Sequence, residues 1–267
     1  MVYCYREAQL AQKGLIANWR DERMTPIATD MWGLHKKKDT QSLERSLKVA
    51  NERLQKASRA LAPKHKGGEW EEYRAAAQDV LSLERKLAAQ NGDEYAEPCG
   101  FPLKWDTGAP MPQVIANDHR TLLAFLLREP DPNWDGTYVT IKSASDAQAE
   151  PLALVEFEHC LCVRHGAPNE EVFAGHPLNG KGLEAYTAQR VVNSRWLKEI
   201  EKINSVHYLY RPESWLDLNH FIFWFHDSTF ECIARSYKVE TYRVSMKDLL
   251  KVMTERVIGV KRDGADI

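Results

Sequence analysis

The segment HFIFWFHDSTFECIA, residues 220–234, restricts the fold more than any other part of the chain. Its aromatic and β-branched residues alternate on either side of Asp227-Ser228, the pattern of two antiparallel strands joined by a short turn. Asp and Ser suit a turn, although the pair lacks the glycine that the tightest hairpins prefer. With the turn there, His226 faces Thr229, Phe225 faces Phe230 and Trp224 faces Glu231. One face then carries Phe221, Phe223, Phe225, Phe230, Cys232 and Ala234 and belongs to a core. The other carries His220, Ile222, Trp224, His226, Thr229, Glu231, Ile233 and Arg235. Such a mixed face is either the wet side of a sheet or a site.

A sheet needs further strands. QVIA, TLLAFLL, TYVTIK and PLALVEFEHCLCV supply the signals downstream of residue 112, and VYCY and GLIANW supply them near the start. Read as one strand, 152–165 puts His159 in an apolar stripe with Val155, Phe157 and Leu161. Glu156 and Glu158 then lie on the opposite face, and would share a side with His220, His226 and Glu231 if all belong to one sheet. A helix is expected from about Ala188 to Ile203, with Trp196, Ile200 and Ile203 on one face. Another starts at Ser245, with Asp248 completing a variant capping box. It buries Met246, Leu249, Leu250, Met253 and Val257.

Between the first strands and the rest, the pattern is helical. Leu43, Leu47, Ala50, Leu54, Ala57 and Leu61 lie four and three residues apart, a narrow seam along one face. Asp39 and Thr40 are candidate caps. After APKHKGG a second stripe runs through Trp70, Tyr73, Ala77, Val80, Leu83 and Leu87, stopping at Asn91-Gly92. Two helices of about 22 residues, roughly 33 Å each, with a short connection form an antiparallel hairpin. The first is basic, with ten Lys/Arg against three Asp/Glu over 35–66, and the second acidic, with seven acids against three bases over 69–95. No aromatic residues interleave the basic ones for base stacking, so the two helices are expected to complement each other rather than hold nucleic acid. The organisation expected is α+β: strands in 1–39 joining the main sheet, a helical hairpin at 40–91, and a mainly antiparallel body with flanking helices at 92–267.

Composition narrows the class. Of the 267 residues, 43% are hydrophobic and 28% charged, enough apolar mass for a substantial core. The net charge of −2 gives no general attraction to nucleic acid or an anionic membrane. MVYCYREAQL has no apolar leader core, and the longest apolar run, LLAFLL at 122–127, cannot span a bilayer. Five scattered cysteines are an odd number and do not form a disulfide framework. A soluble, cytoplasmic protein is expected.

Three groups carry candidate chemistry. An imidazole titrates near neutrality and a carboxylate can orient it, so His226 with Glu231, or with Glu158, would serve as an acid–base group. His220 and Trp224 on the same face would contact substrate. Two histidines with one or two carboxylates could instead hold a divalent metal, though no ligand spacing is diagnostic. GHPLNGKG at 175–182 matches a phosphate-binding loop except that Gly182 stands where a hydroxyl should hold magnesium. His176 and Lys181 on that flexible stretch would still close over a small anion. Cys160-Leu161-Cys162 has no second pair to complete a zinc site and reads as structural. Two functions remain open: a hydrolase-like enzyme on a small polar or anionic substrate, or a non-catalytic binding or regulatory protein. The latter would use the helical hairpin against a protein partner or a second copy.

Overall fold

The computed structural model describes residues 26–61, 68–129, 143 and 147–259. Contacts divide the chain into two units, Met1–Asp39 and Thr40–Ile267. The first is described only from Pro26, as helix. VYCY, GLIANW, TYVTIK and Trp134 lie outside the described residues.

Among the described residues, the second unit has two antiparallel sheets where the sequence suggested one. Strands β1 (Tyr95–Pro98), β2 (Gln113–Ala116), β3 (Thr121–Leu126), β4 (Glu150–Glu158), β5 (Cys162–Gly166), β6 (Ala188–Val192), β7 (Asn219–Trp224), β8 (Thr229–Ala234) and β9 (Ser236–Val244) sort into two groups. Five form a sheet in the order β1-β6-β7-β8-β5, and four form a second in the order β2-β3-β4-β9. Their inner faces share one core: Phe125, Val155 and Phe157 from the second meet Phe221, Phe223 and Phe230 from the first, and Trp105 closes the layer. Phe223 is fully buried and touches the rings of Phe125, Phe157 and Phe230. The phenylalanine face of the hairpin is therefore core, as its alternation predicts.

Helix α4 (Met246–Ile258) covers the outer face of the four-stranded sheet, burying Met246, Leu249, Met253 and Val257 against Leu122, Leu126 and Leu154. Its cap is the expected one, with Ser245 accepting from the Asp248 amide at 3.1 Å. Both sides of β3 are thus covered, which is why all six of its residues are buried rather than every second one.

The hairpin helices are α1 (Pro26–Ala60) and α2 (Glu69–Asn91). The expected seam holds: from Leu43 to Leu61 its members are buried or half-buried, and most positions between them are exposed. Helix α1 begins at Pro26, well before Asp39 and Thr40. Proline suits a first helical turn because its missing amide has no partner to lose there. Gly92 ends α2 in the left-handed conformation, its N–H reaching the Ala88 and Ala89 carbonyls. Arg53 of α1 bridges Glu72 and Asp79 of α2, so the opposite charges do meet. Both partners are well exposed, and such contacts contribute little.

Two further expectations fail. Residues 188–192 are strand, not helix: the two valines favour a pleat, Asn193 turns the chain at φ 55°, and helix α3 (Arg195–Asn204) starts from Ser194. The strand at 152–165 breaks at His159, which is exposed with φ 51°. β4 and β5 therefore lie in different sheets, and His159 is not in the core.

Candidate functional site

The mixed face of the β7–β8 hairpin is covered. Leu178 and Leu183 pack on Ile222 and Trp224, and Trp196 of α3 packs with Leu218 on Ile233. Between these covers lies a polar chain. Ser194 caps α3 by accepting from the Leu197 amide at 3.0 Å. Its Oγ is 2.9 Å from His220 Nδ1, and His220 Nε2 is 2.7 Å from Glu231 Oε2. With Nε2–H donating to the carboxylate, Nδ1 accepts from the serine hydroxyl, so both ring nitrogens of His220 have a partner. Trp196 stands edge-on to the His220 ring at 5.0 Å, and the Arg164 guanidinium lies 4.0 Å over Trp196.

The loop 173–183 brings His176 to this group. Its ring stands edge-on to Trp224 at 5.2 Å, and its Nδ1 accepts from the Leu178 amide at 3.2 Å. Burial lowers the His176 pKa, opposed by the Glu231 carboxylate, so the ring is neutral at pH 7. For Glu231 burial pushes upward, but the His220 hydrogen bond and charge, aided by His176 and Arg164, hold it below the usual carboxylate range. Of the seven residues singled out in the sequence, His176, His220, Trp224 and Glu231 come together here.

The other three do not join them. The strands of the hairpin pair with Trp224 opposite Thr229 and Ile222 opposite Glu231, two residues from the expected register. His226 therefore sits in a four-residue loop, closed by the Phe225 amide on the Ser228 carbonyl at 2.9 Å. There it contacts Asp227 at 2.8 Å and Glu170 at 3.0 Å, and the Asp227 hydrogen bond raises its pKa. Glu158 lies at the end of β4 in the other sheet, held by Lys238 and Ser236. Lys181 approaches Asp93 at 3.9 Å.

GHPLNGKG is not a phosphate cradle. The amides of His176, Asn179 and Lys181 donate within the loop, to Phe173, His176 and Leu178. That of Gly182 donates to Glu84 at 3.1 Å. An anion would meet engaged donors and a carboxylate. Among the described residues, no group of three or more His, Cys, Asp or Glu side chains is arranged to hold a metal ion. Cys160, Cys162 and Cys232 are free thiols beside the break between β4 and β5.

A second place went unread in the sequence. A cleft of about 420 Å³ opens on the other side of the five-stranded sheet, where Lys104, Trp105, Thr107, Arg128, Tyr186 and Thr187 are among its walls. Trp105 is 2% exposed, and its indole Nε1–H is buried with no acceptor among the described residues. The Arg128 amide donates to the Lys104 carbonyl at 3.0 Å, which sets two exposed cations side by side. Neither makes an ion pair among the described residues, whereas Glu184 in the same wall approaches Arg85 at 3.9 Å. Tyr186 is held at φ 57°, a strained conformation for a bulky residue. The readable signal was Lys104 beside Trp105; Arg128 is remote in sequence and comes next to Lys104 only through the bridge between Trp105 and Leu127.

No helix among the described residues is long and apolar enough to cross a membrane. No protein-family model matches this chain, and no curated protein or solved structure was found to match it.

Proposed function

We propose that this protein binds a small organic anion, a carboxylate with an apolar or aromatic body, in the cleft beside Trp105. The observation that carries the reading is a cleft walled by Phe101, Leu103 and Trp105 beside two exposed cations, Lys104 and Arg128, that make no ion pair among the described residues. The carboxylate would sit between Lys104 and Arg128, and its apolar part would face Phe101, Leu103 and Trp105. The volume is that of ordinary small-molecule sites, about 300–1,000 Å³.

Amide and indole N–H resonances of ¹⁵N-labelled protein test this, titrated with benzoate, phenylacetate, hexanoate and phenyl phosphate. Saturable binding by at least one carboxylate is expected, moving the Trp105 indole resonance identified through Trp105→Phe. Lys104→Ala/Arg128→Ala should weaken it by about tenfold or more. Silence toward every probe, or unchanged affinity in the double variant, would reject the site.

A second reading, base catalysis by Glu231 with His176, is supported by their placement on one covered face, both deprotonated at pH 7. Because both pKa values are depressed, hydrolysis of p-nitrophenyl acetate would already be at its plateau by about pH 7 and fall on acidification. It should fall in Glu231→Gln and His176→Ala. Equal rates in folded wild type and both variants would end this reading.

A further inference from the structure

The stretch after α3 displays an ordered apolar surface. Ile203 is 62% exposed, Val206 88%, Tyr208 86%, Leu209 53% and Leu216 83%, half of the large exposed hydrophobic residues found among the described residues. Its backbone is fixed: the Ser205, His207, Tyr210 and Ser214 amides donate to Glu201, Asn204, His207 and Arg211, and the Tyr210 hydroxyl donates to Glu201 at 2.7 Å. Its other side is anchored, with Trp196, Ile200 and Trp215 packed in the cluster around Ile233. Local bonding thus holds these side chains outward, and little ordering entropy remains to be lost on association.

We propose that this surface, residues 203–216, is where two copies of the chain associate. The five side chains expose an area on the order of 600–700 Å², close to the roughly 800 Å² per partner of a standard interface. Charge selects the occupant. Residues 195–217 hold four cations (Arg195, Lys198, Lys202, Arg211) and four anions (Glu199, Glu201, Glu213, Asp217). A second copy would meet a balanced rim, and a twofold arrangement can set each sign against the other. An anionic membrane gains nothing from a segment with no net positive charge. The helical hairpin suits self-association less well, because the seam of α1 is already turned inward.

Sedimentation of the full chain between about 1 and 100 µM tests the proposal. A monomer–dimer equilibrium is expected within that range. Val206→Glu/Leu209→Glu, both at exposed positions, should weaken it at least 100-fold while leaving circular dichroism and Tm unchanged. A wild type that stays monomeric throughout, or a dimer that persists in the double variant, overturns it. So does a monomer that co-sediments with phosphatidylserine–phosphatidylcholine vesicles, which would make the surface a membrane contact.

Discussion

Gly182→Ala lowers the stability of the protein by about 4 kcal/mol, or about 10 °C in Tm for a chain of this size. Gly182 is held at φ 79°, and a Cβ there would lie 2.4 Å from Arg85 Cγ, 2.6 Å from the Ala96 carbonyl oxygen and 2.7 Å from Arg85 Nε. The left-handed backbone alone costs an L-residue about 1–2 kcal/mol. The contacts add more, because Arg85 cannot simply swing away. Its Nε–H donates to the Ala96 carbonyl at 2.9 Å and its terminal nitrogen to the Gly182 carbonyl at 3.0 Å. Displacing it releases two charge-assisted bonds of about 1.5–3 kcal/mol each. The first bond ties α2 to β1 and the second ties it to the loop that carries His176. Arg85→Ala is therefore destabilising alone but partly relieves Gly182→Ala, and the pair is non-additive in urea unfolding. A loss below about 1 kcal/mol for Gly182→Ala would mean that the loop moves aside freely and that α2 does not fix it.

Gly182 also shows what the sequence could and could not convey. Within GHPLNGKG it looked like a defect in a phosphate loop, and the motif offered no other reason for it. The reason is a side chain 97 residues away. Patterns set by local geometry were legible: the α1 seam, the α4 cap and the phenylalanine face of the hairpin. That face survived an error of two residues in register, because side chains alternate with period two and an even shift preserves the side. The same shift moved His226 out of the ladder and left His220, not His226, beside Glu231.

Long-range packing was the illegible part. Ile222, Trp224 and Ile233 share the face with the histidines, and three large apolar residues there were a sign that it is covered. What covers it, the 173–183 loop and α3, comes from elsewhere in the chain. The passage from β4 to β5 occurs in EHCLC without glycine or proline, so no turn signal marked the point at which the chain leaves one sheet for the other. The Trp105 cleft depends on that two-layer arrangement, since its wall exists only once Trp105 has closed the space between the sheets.

His220→Ala is expected to cost about 3 kcal/mol at pH 7, because it leaves a largely buried carboxylate without its hydrogen-bond donor. His220 is 4% exposed and supplies the only direct hydrogen bond to the Glu231 side chain among the described residues. Its removal leaves the Ser194 hydroxyl without an acceptor and the carboxylate in a cleft closed by Trp196. The pH dependence follows from the sign of the shift. In the wild type the Glu231 pKa is depressed on folding, so its contribution is present above the ordinary carboxylate pKa and is lost as pH falls through the folded value. Without His220, the burial that pushes the pKa up is no longer outweighed by its main opponent. The variant then gains stability relative to wild type on acidification, and the difference between the two shrinks between pH 7 and about pH 4. Glu231→Gln removes the charge, so His220→Ala/Glu231→Gln should be more stable at pH 7 than His220→Ala alone. Chemical denaturation at both pH values measures all three. A deficit independent of pH, or a double variant equal to the sum of the singles, would mean that the pair is not energetically coupled. If coupling is found, His220 holds α3 to the sheet through Ser194. Base chemistry on this face would then be left to the side of Glu231 toward His176, whose charges influence each other.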